Sequence, residues 1–213
     1  MQLIISNAIG AITNLIIFSL IPVLWWFIKH RKETSFFKWV GLYKPELKSK
    51  WWVVVIFAIV YYFVYSFDIT MFVSEESMNV VGESESVSAN VYTGIGMAAI
   101  IPALIQNFIA NGVSEELLYR GFIGKRLCAK FGTVPGIIVQ AVLFGLMHNG
   151  LYVLAGVPIG IDFHIAMFLF TGTAGLLLAW LDEKIFNGSI LPSILLHGLG
   201  NFIGSMRVAF MLM

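Results

Sequence analysis

Charge is what this sequence lacks. Asp, Glu, Lys and Arg supply 12% of its 213 residues, against 59% hydrophobic and 15% aromatic, and mean hydropathy is +0.88. A soluble domain carries about 25% charged residues, so the charge here is too sparse to cover a water-facing surface. An ordinary soluble domain, a disordered chain and a coiled coil are excluded. Net charge is only +1, without the basic patch of a soluble domain, which excludes nucleic acid as a partner. The single cysteine, Cys128, excludes an intramolecular disulfide and a cysteine-rich metal cluster. His-Glu-x-x-His, Gly-x-Ser-Gly and Gly-x-Gly-Asp are absent, and Gly94-Ile-Gly96 is followed by Met97. What remains is an integral membrane protein whose few charges can be taken one at a time.

A spanning helix needs about 20 largely apolar residues. Six segments qualify: 3–28, 51–72, 94–122, 134–154, 164–181 and 189–212. The second is dense in aromatic and β-branched residues, but lipid admits only helices and closed barrels, and the apolar runs are too long for barrel strands. The expected fold is an all-α polytopic membrane bundle of about six transmembrane helices. Residues 1–93 form two helices with a basic interfacial segment and an acidic outer link, and 94–213 form a four-helix core. Lys29, Arg31, Lys32, Lys38, Lys44, Lys48, Lys50, Lys125, Arg126, Lys130 and Lys184 fall on one side. The link 73–93 has no Lys or Arg and carries Glu75, Glu76, Glu83 and Glu85. The positive-inside rule puts the basic loops in the cytoplasm and both termini outside. Without a basic n-region, the first segment reads as a retained span. Small size and the absence of targeting segments point to a bacterial plasma membrane. Residues 34–50 mix aromatics with lysines and read as an interfacial helix or a plain linker. The sequon at Asn187 faces the cytoplasm and is discounted.

Three charges have no topological reason for their position: Glu115, Glu116 and Arg120 on the third span. At roughly 2.5–3.5 kcal/mol each on insertion scales they cost about 8–10 kcal/mol together. Neighbouring apolar residues return about 5 kcal/mol, so this face must turn into the bundle. Glu116 and Arg120 are i,i+4 and suit an ion pair. Glu115 points about 140° away from Arg120, which leaves it free to act as a general base. The fourth span starts with Pro135 in its first turn and carries Phe144 one turn before His148. The sixth starts near Ser189 as N-cap, with Pro192 behind it, and carries His197 and Asn201 on one face. Gly200 and Gly204 form a small-xxx-small strip suited to close helix approach. Asp68, Asp162 and His164 lie near outer ends and read as structural.

Three helices thus bring polar residues to a similar depth, which points to one buried site. The residue types suit hydrolysis. Glu115 with His148 can take a proton from water, and His197 with Asn201 can donate to a tetrahedral oxyanion. Glu115, His148 and His197 also make a two-His, one-carboxylate set able to hold zinc. Asn is a poor zinc ligand and a good oxyanion donor, which favours metal-free water activation with no cofactor. A proton- or ion-coupled carrier is the other chemistry such residues serve, but no inverted repeat is visible.

Glu115-Glu116-x-x-x-Arg120, Phe144-x-x-x-His148 and His197-x-x-x-Asn201, in this order, resemble the three signature motifs of the CPBP family, the CAAX-protease and bacteriocin-processing (Abi) intramembrane proteases. The resemblance covers residues 95–205. It implies that Glu115 and His148 activate water, that His197 and Asn201 form the oxyanion hole, and that Glu116 and Arg120 shape the site. It also implies a membrane-embedded or lipidated, CAAX-type peptide substrate. The alternative within the family is a non-catalytic bacteriocin self-immunity or regulatory scaffold. Oligomeric state is not readable from the sequence.

Overall fold

The computed structural model describes residues 1–66, 69–84 and 87–211. Asp68 and Glu85, named above, lie outside the described residues. Every regular element among the described residues is helical. We number the helices α1 (Gln2–Lys29), α2 (Phe36–Val40), α3 (Trp51–Ser66), α4 (Glu75–Glu83), α5 (Gly96–Phe131), α6 (Thr133–Leu154), α7 (Ile161–Ile185) and α8 (Leu191–Ala209). The all-α membrane bundle is therefore present. Four helices, α1, α5, α6 and α7, are long and apolar enough to cross a bilayer. The other two positions hold helices of different character: α3 is apolar but has 16 residues, and α8 has 19 with polar residues on its inner face.

The outside of the bundle is greasy. Ile12, Ile16, Leu20 and Phe27 on α1, Ile56 and Phe63 on α3, and Leu195 and Leu199 on α8 are exposed. In water such a belt would aggregate; around a spanning bundle it is the lipid-facing surface.

Three boundaries differ from the sequence reading. The third span does not stop at 122 but runs to Phe131, so Lys125, Arg126 and Lys130 ride on the helix end. No proline intervenes before Gly132, whose φ of +88° ends the run, and cations are favoured at a helix C-terminus. The fifth span likewise continues through a π-turn, Leu181–Ile185. Ser189 sits one residue before the N-cap position of the last helix, and its Oγ accepts a long bond from Leu191 N–H (3.4 Å). Its hydroxyl donates to the Tyr43 carbonyl (2.6 Å), and the helix starts at Leu191 with Pro192 in the first turn.

The 34–50 segment is a short helix followed by a strap. Ser35 caps α2 and Gly41, at φ +91°, ends it in the left-handed region. The strap then crosses the α7–α8 link. Tyr43 Oη donates to the Asn187 carbonyl (2.7 Å), Ile190 N–H to the Gly41 carbonyl (3.0 Å) and Lys48 N–H to the Ile185 carbonyl (2.8 Å). Burial, with the carboxylates of Glu183, Asp182 and Glu46, pushes the Tyr43 phenol up, so it stays a donor.

Two long π-helical stretches flank the motif in α5: Ile105–Val113 and Leu117–Gly124, with Ser114–Glu116 between them. A π-helix bonds i to i+5 and is found at functional sites. Side chains five apart meet accordingly: Gln106 Nε2 donates to Asn111 Oδ1 (3.2 Å) and Ser114 Oγ to the Ile109 carbonyl (3.0 Å).

Close approach of α8 to α5 relies on Gly198 and not on Gly204, one of the two glycines expected. A Cβ at Gly204 would meet open space, whereas one at Gly198 would fall 2.6–2.9 Å from the Phe108 ring. Gly198 faces α5 on the same side as His197's neighbours, while Gly204 is exposed. Gly198→Ala should therefore overpack this contact, at a cost of about 1–3 kcal/mol. Thermal unfolding in detergent micelles checks this, with Gly204→Ala unchanged as the control.

Candidate active site

The innermost element is an ion pair. Glu116 Oε2 lies 3.0 Å from Arg120 Nε, with side-chain exposures of 0% and 1%. The other carboxylate oxygen, Oε1, lies 2.7 Å from His197 Nδ1. A carboxylate beside a guanidinium is an acceptor, so His197 carries its proton on Nδ1 and turns Nε2 toward the centre. Phe144 covers the guanidinium, with Arg120 Cζ 4.0 Å from the ring centroid. The same ring meets His148 edge-on at 4.6 Å, Tyr119 at 5.1 Å and His197 at 6.0 Å. Gly175 on α7 makes room for both partners, since a Cβ there would sit 3.0 Å from Phe144 and 3.5 Å from Arg120 Nη2.

Glu115 stands apart, as its helical phase predicts. Its Oε2 is 3.8 Å from His148 Nε2 and 4.0 Å from His197 Nε2. These separations are too long for direct hydrogen bonds and suit an oxygen held between the groups. Glu115 (14%) and His148 (22%) are partly exposed, unlike the sealed Glu116–Arg120 pair. His148 Nδ1 lies 2.9 Å from the Phe144 carbonyl. Only a protonated Nδ1 can bond a carbonyl, so in the neutral ring the lone pair is on Nε2, the nitrogen nearer Glu115.

Six of the seven residues singled out in the sequence, Glu115, Glu116, Arg120, Phe144, His148 and His197, thus form one connected cluster. Asn201 follows His197 by one turn of α8, is half-buried, and makes no side-chain hydrogen bond among the described residues. Atoms able to take a zinc ion would be Glu115 Oε2, His148 Nε2 and His197 Nε2. Among the described residues no three His, Cys, Asp or Glu side chains stand in a metal-holding arrangement.

Asp162 and His164, the two described residues expected to be structural, have partners. Asp162 accepts from Ser74 N–H and from Ser77 Oγ (2.9 Å), docking α4 on the start of α7. His164 Nδ1 is 3.0 Å from Asn149 Oδ1, and Asn149 Nδ2 donates to the His164 carbonyl (3.0 Å).

Several buried polar residues escaped the sequence reading, among them Asn107, which donates to Ser205 Oγ (2.9 Å), and two that lack a side-chain partner among the described residues, Asp182 and Gln140. Asp182 (1% exposed) directly follows the expected span 164–181 and borders Glu183 and Lys184, but the π-turn carries it inside. Gln140 (0% exposed) is one turn before Phe144, the signal that could have found it.

Fold and site together define a polytopic α-helical membrane protein with a buried acid–base centre. A family model described as type II CAAX prenyl endopeptidase Rce1-like matches residues 97–203. The chain belongs to this family of intramembrane endopeptidases, in agreement with the motif resemblance. Comparison with curated proteins and with solved structures finds no match.

The two glutamates should separate in their effect on stability. Removing one partner of a buried ion pair costs about 3–5 kcal/mol, so Glu116→Ala should unfold well below the parent chain. Glu115→Ala breaks no short contact and should change stability little. Melting curves of the two variants in the same detergent check the contrast.

Proposed function

We propose that the chain is an intramembrane endopeptidase that cleaves membrane-associated or lipidated, CAAX-type peptides with a water activated by Glu115 and His148. The observation that carries this reading is the gap between Glu115 Oε2 and the two Nε2 atoms, 3.8 and 4.0 Å. A water there can give its proton to Glu115 or His148 Nε2 while its oxygen forms the bond to the scissile carbonyl carbon. The carbonyl oxygen becomes an oxyanion facing Asn201 Nδ2 and His197 Nε2. To donate from Nε2, His197 must hold protons on both nitrogens, and the Glu116 carboxylate at Nδ1 offsets that charge. When the C–N bond breaks, the proton taken from water passes from the Glu115–His148 couple to the leaving amine. Burial in a low-dielectric bundle strengthens each of these interactions.

In this reading the mechanism is metal-free and the basic end of the bundle faces the cytoplasm. The catalytic centre is the core 94–213, and 1–93 is an N-terminal addition, although α1 packs on the catalytic helix: Asn7 Nδ2 donates to the Pro102 carbonyl (3.0 Å).

Glu115→Ala and His148→Ala should each lower cleavage of a farnesylated CAAX-type peptide in liposomes by about 10²–10⁴-fold. Asn201→Ala should lower it by about 10²–10³-fold. Full activity of the Glu115 or His148 variant would sink the proposal. A cellular phenotype preserved by Glu115→Gln would favour the scaffold or immunity role instead. Loss of cleavage on chelation, with one zinc per chain by elemental analysis, would replace the metal-free mechanism.

A further inference from the structure

A second cluster of buried polar groups lies one turn toward the basic end from the Glu116–Arg120 pair. Arg120, Gln140 and Asp182, from three different helices, line the inner wall of a small, partly open cavity that Cys128 and Glu183 border on the other side. All three are at least 97% buried: exposures are 3%, 0% and 1%. Arg120 Nη1 and Nη2, both polar atoms of the Gln140 amide and both Asp182 oxygens have no hydrogen-bond partner among the described residues. Ser193 lies beside both Glu116 and Asp182, but its one hydroxyl proton goes to the Ile190 carbonyl (2.9 Å). One hydroxyl cannot satisfy two carboxylates in any case.

Six unpartnered polar atoms around one space is not a tolerable end state for a core. A bare buried charge costs several kcal/mol, and buried polar groups are otherwise almost always bonded. The cavity measures about 10 Å³ for the centre of a water-sized sphere, about what one water needs, and one water makes about three hydrogen bonds. That water can accept from two guanidinium N–H groups and donate to one Asp182 oxygen and to the Gln140 amide oxygen, which serves four of the six atoms.

We propose that Asp182 and Gln140, through one internal water, hold the free edge of the Arg120 guanidinium and are positioning residues for the site. Arg120 is thereby clamped on three sides: Glu116 at Nε, the Phe144 ring on its face, and the water-linked pair at Nη1 and Nη2. The consequence runs along measured contacts. Arg120 fixes the Glu116 carboxylate (3.0 Å), and Glu116 fixes the His197 ring through Nδ1 (2.7 Å). The Nε2 of His197 is then aimed at Glu115 (4.0 Å). The column extends along α6 as well, where Gln140, Phe144 and His148 follow at i, i+4 and i+8 on one face. The clamp stands on the geometry alone; its effect on turnover rests on the peptidase reading above.

The test uses the full chain in detergent or liposomes, with two independent readouts. The first is the Nε–H signal of Arg120 in ¹⁵N-arginine NMR, assigned by its loss in Arg120→Lys. In the parent chain this signal should exchange slowly with solvent. In Asp182→Leu and in Gln140→Leu it should shift and exchange at least tenfold faster, while Asp182→Asn, which keeps an acceptor for the water, should stay close to the parent. The second readout is cleavage of the farnesylated peptide. Asp182→Leu should lower kcat at least tenfold with KM within twofold, and Asp182→Asn should recover most of it. An apolar replacement of a buried charge can leave a fold equally stable, so melting temperature is a folding control only. An unchanged Arg120 signal in both folded leucine variants overturns the clamp. If the parent chain cleaves nothing, the peptidase reading fails while the arginine signal still decides the clamp. If Asp182→Leu does not fold, Gln140→Leu carries both readouts.

Discussion

Everything at the centre of this bundle depends on the Glu116–Arg120 pair. Each member alone would be an unaffordable charge in a hydrocarbon layer, and together they are tolerable only because other groups complete their shells. His197 takes the second carboxylate oxygen at 2.7 Å and Phe144 covers the guanidinium at 4.0 Å. The pair therefore dictates where α6 and α8 can sit relative to α5, since each must deliver a particular side chain to it. The two other motifs can be understood as what the first needs in order to be buried. Their remaining ring nitrogens, His148 Nε2 and His197 Nε2, are the ones left over to face Glu115.

Close delivery requires helices that approach nearer than ordinary side chains permit. Gly198 against Phe108, Gly145 against Phe168 and Gly175 against Phe144 are the points where backbone replaces side chain. In lipid no hydrophobic force drives helices together, so packing and hydrogen bonds carry the association. The π-helical stretches in α5 serve the same end. By widening the turn on both sides of Ser114–Glu116 they let adjacent glutamates reach different partners: Glu115 the two Nε2 atoms, Glu116 the arginine and Nδ1.

The membrane class, the six helical positions and the cluster around Glu115, Glu116, Arg120, Phe144, His148 and His197 were legible in the sequence. Charges in an apolar span carry a cost that only a shared interior can relieve, and i,i+4 spacing fixes which pairs share a face. Helix ends were less legible: the basic residues 125–130 read as a loop because charge marks the membrane boundary, not the end of a helix. The same confusion hid Asp182, which borders Glu183 and Lys184 in sequence yet is turned inward by a π-turn. Gln140 carries no charge and so raised no energetic alarm, although it lies on the Phe144–His148 face. The choice of Gly198 over Gly204 depends on helix rotation, which small-residue spacing alone does not determine.

The site is divided by access as much as by chemistry. Glu116 and Arg120 are sealed at 0% and 1%, and Glu115 and His148 remain at 14% and 22%. A sealed carboxylate with its arginine and histidine already in place has no spare oxygen to offer a reacting water, and no path by which one could arrive. Glu115 is partly exposed as a side chain, and its Oε2, although buried and without a hydrogen-bond partner among the described residues, makes no short contact. That oxygen lies between two ring nitrogens whose other nitrogens are already committed, one to the Phe144 carbonyl and one to Glu116. Two consecutive glutamates thus differ in burial and in partners because one helical step turns Glu116 to Arg120 and His197 Nδ1 and Glu115 to the two Nε2 atoms.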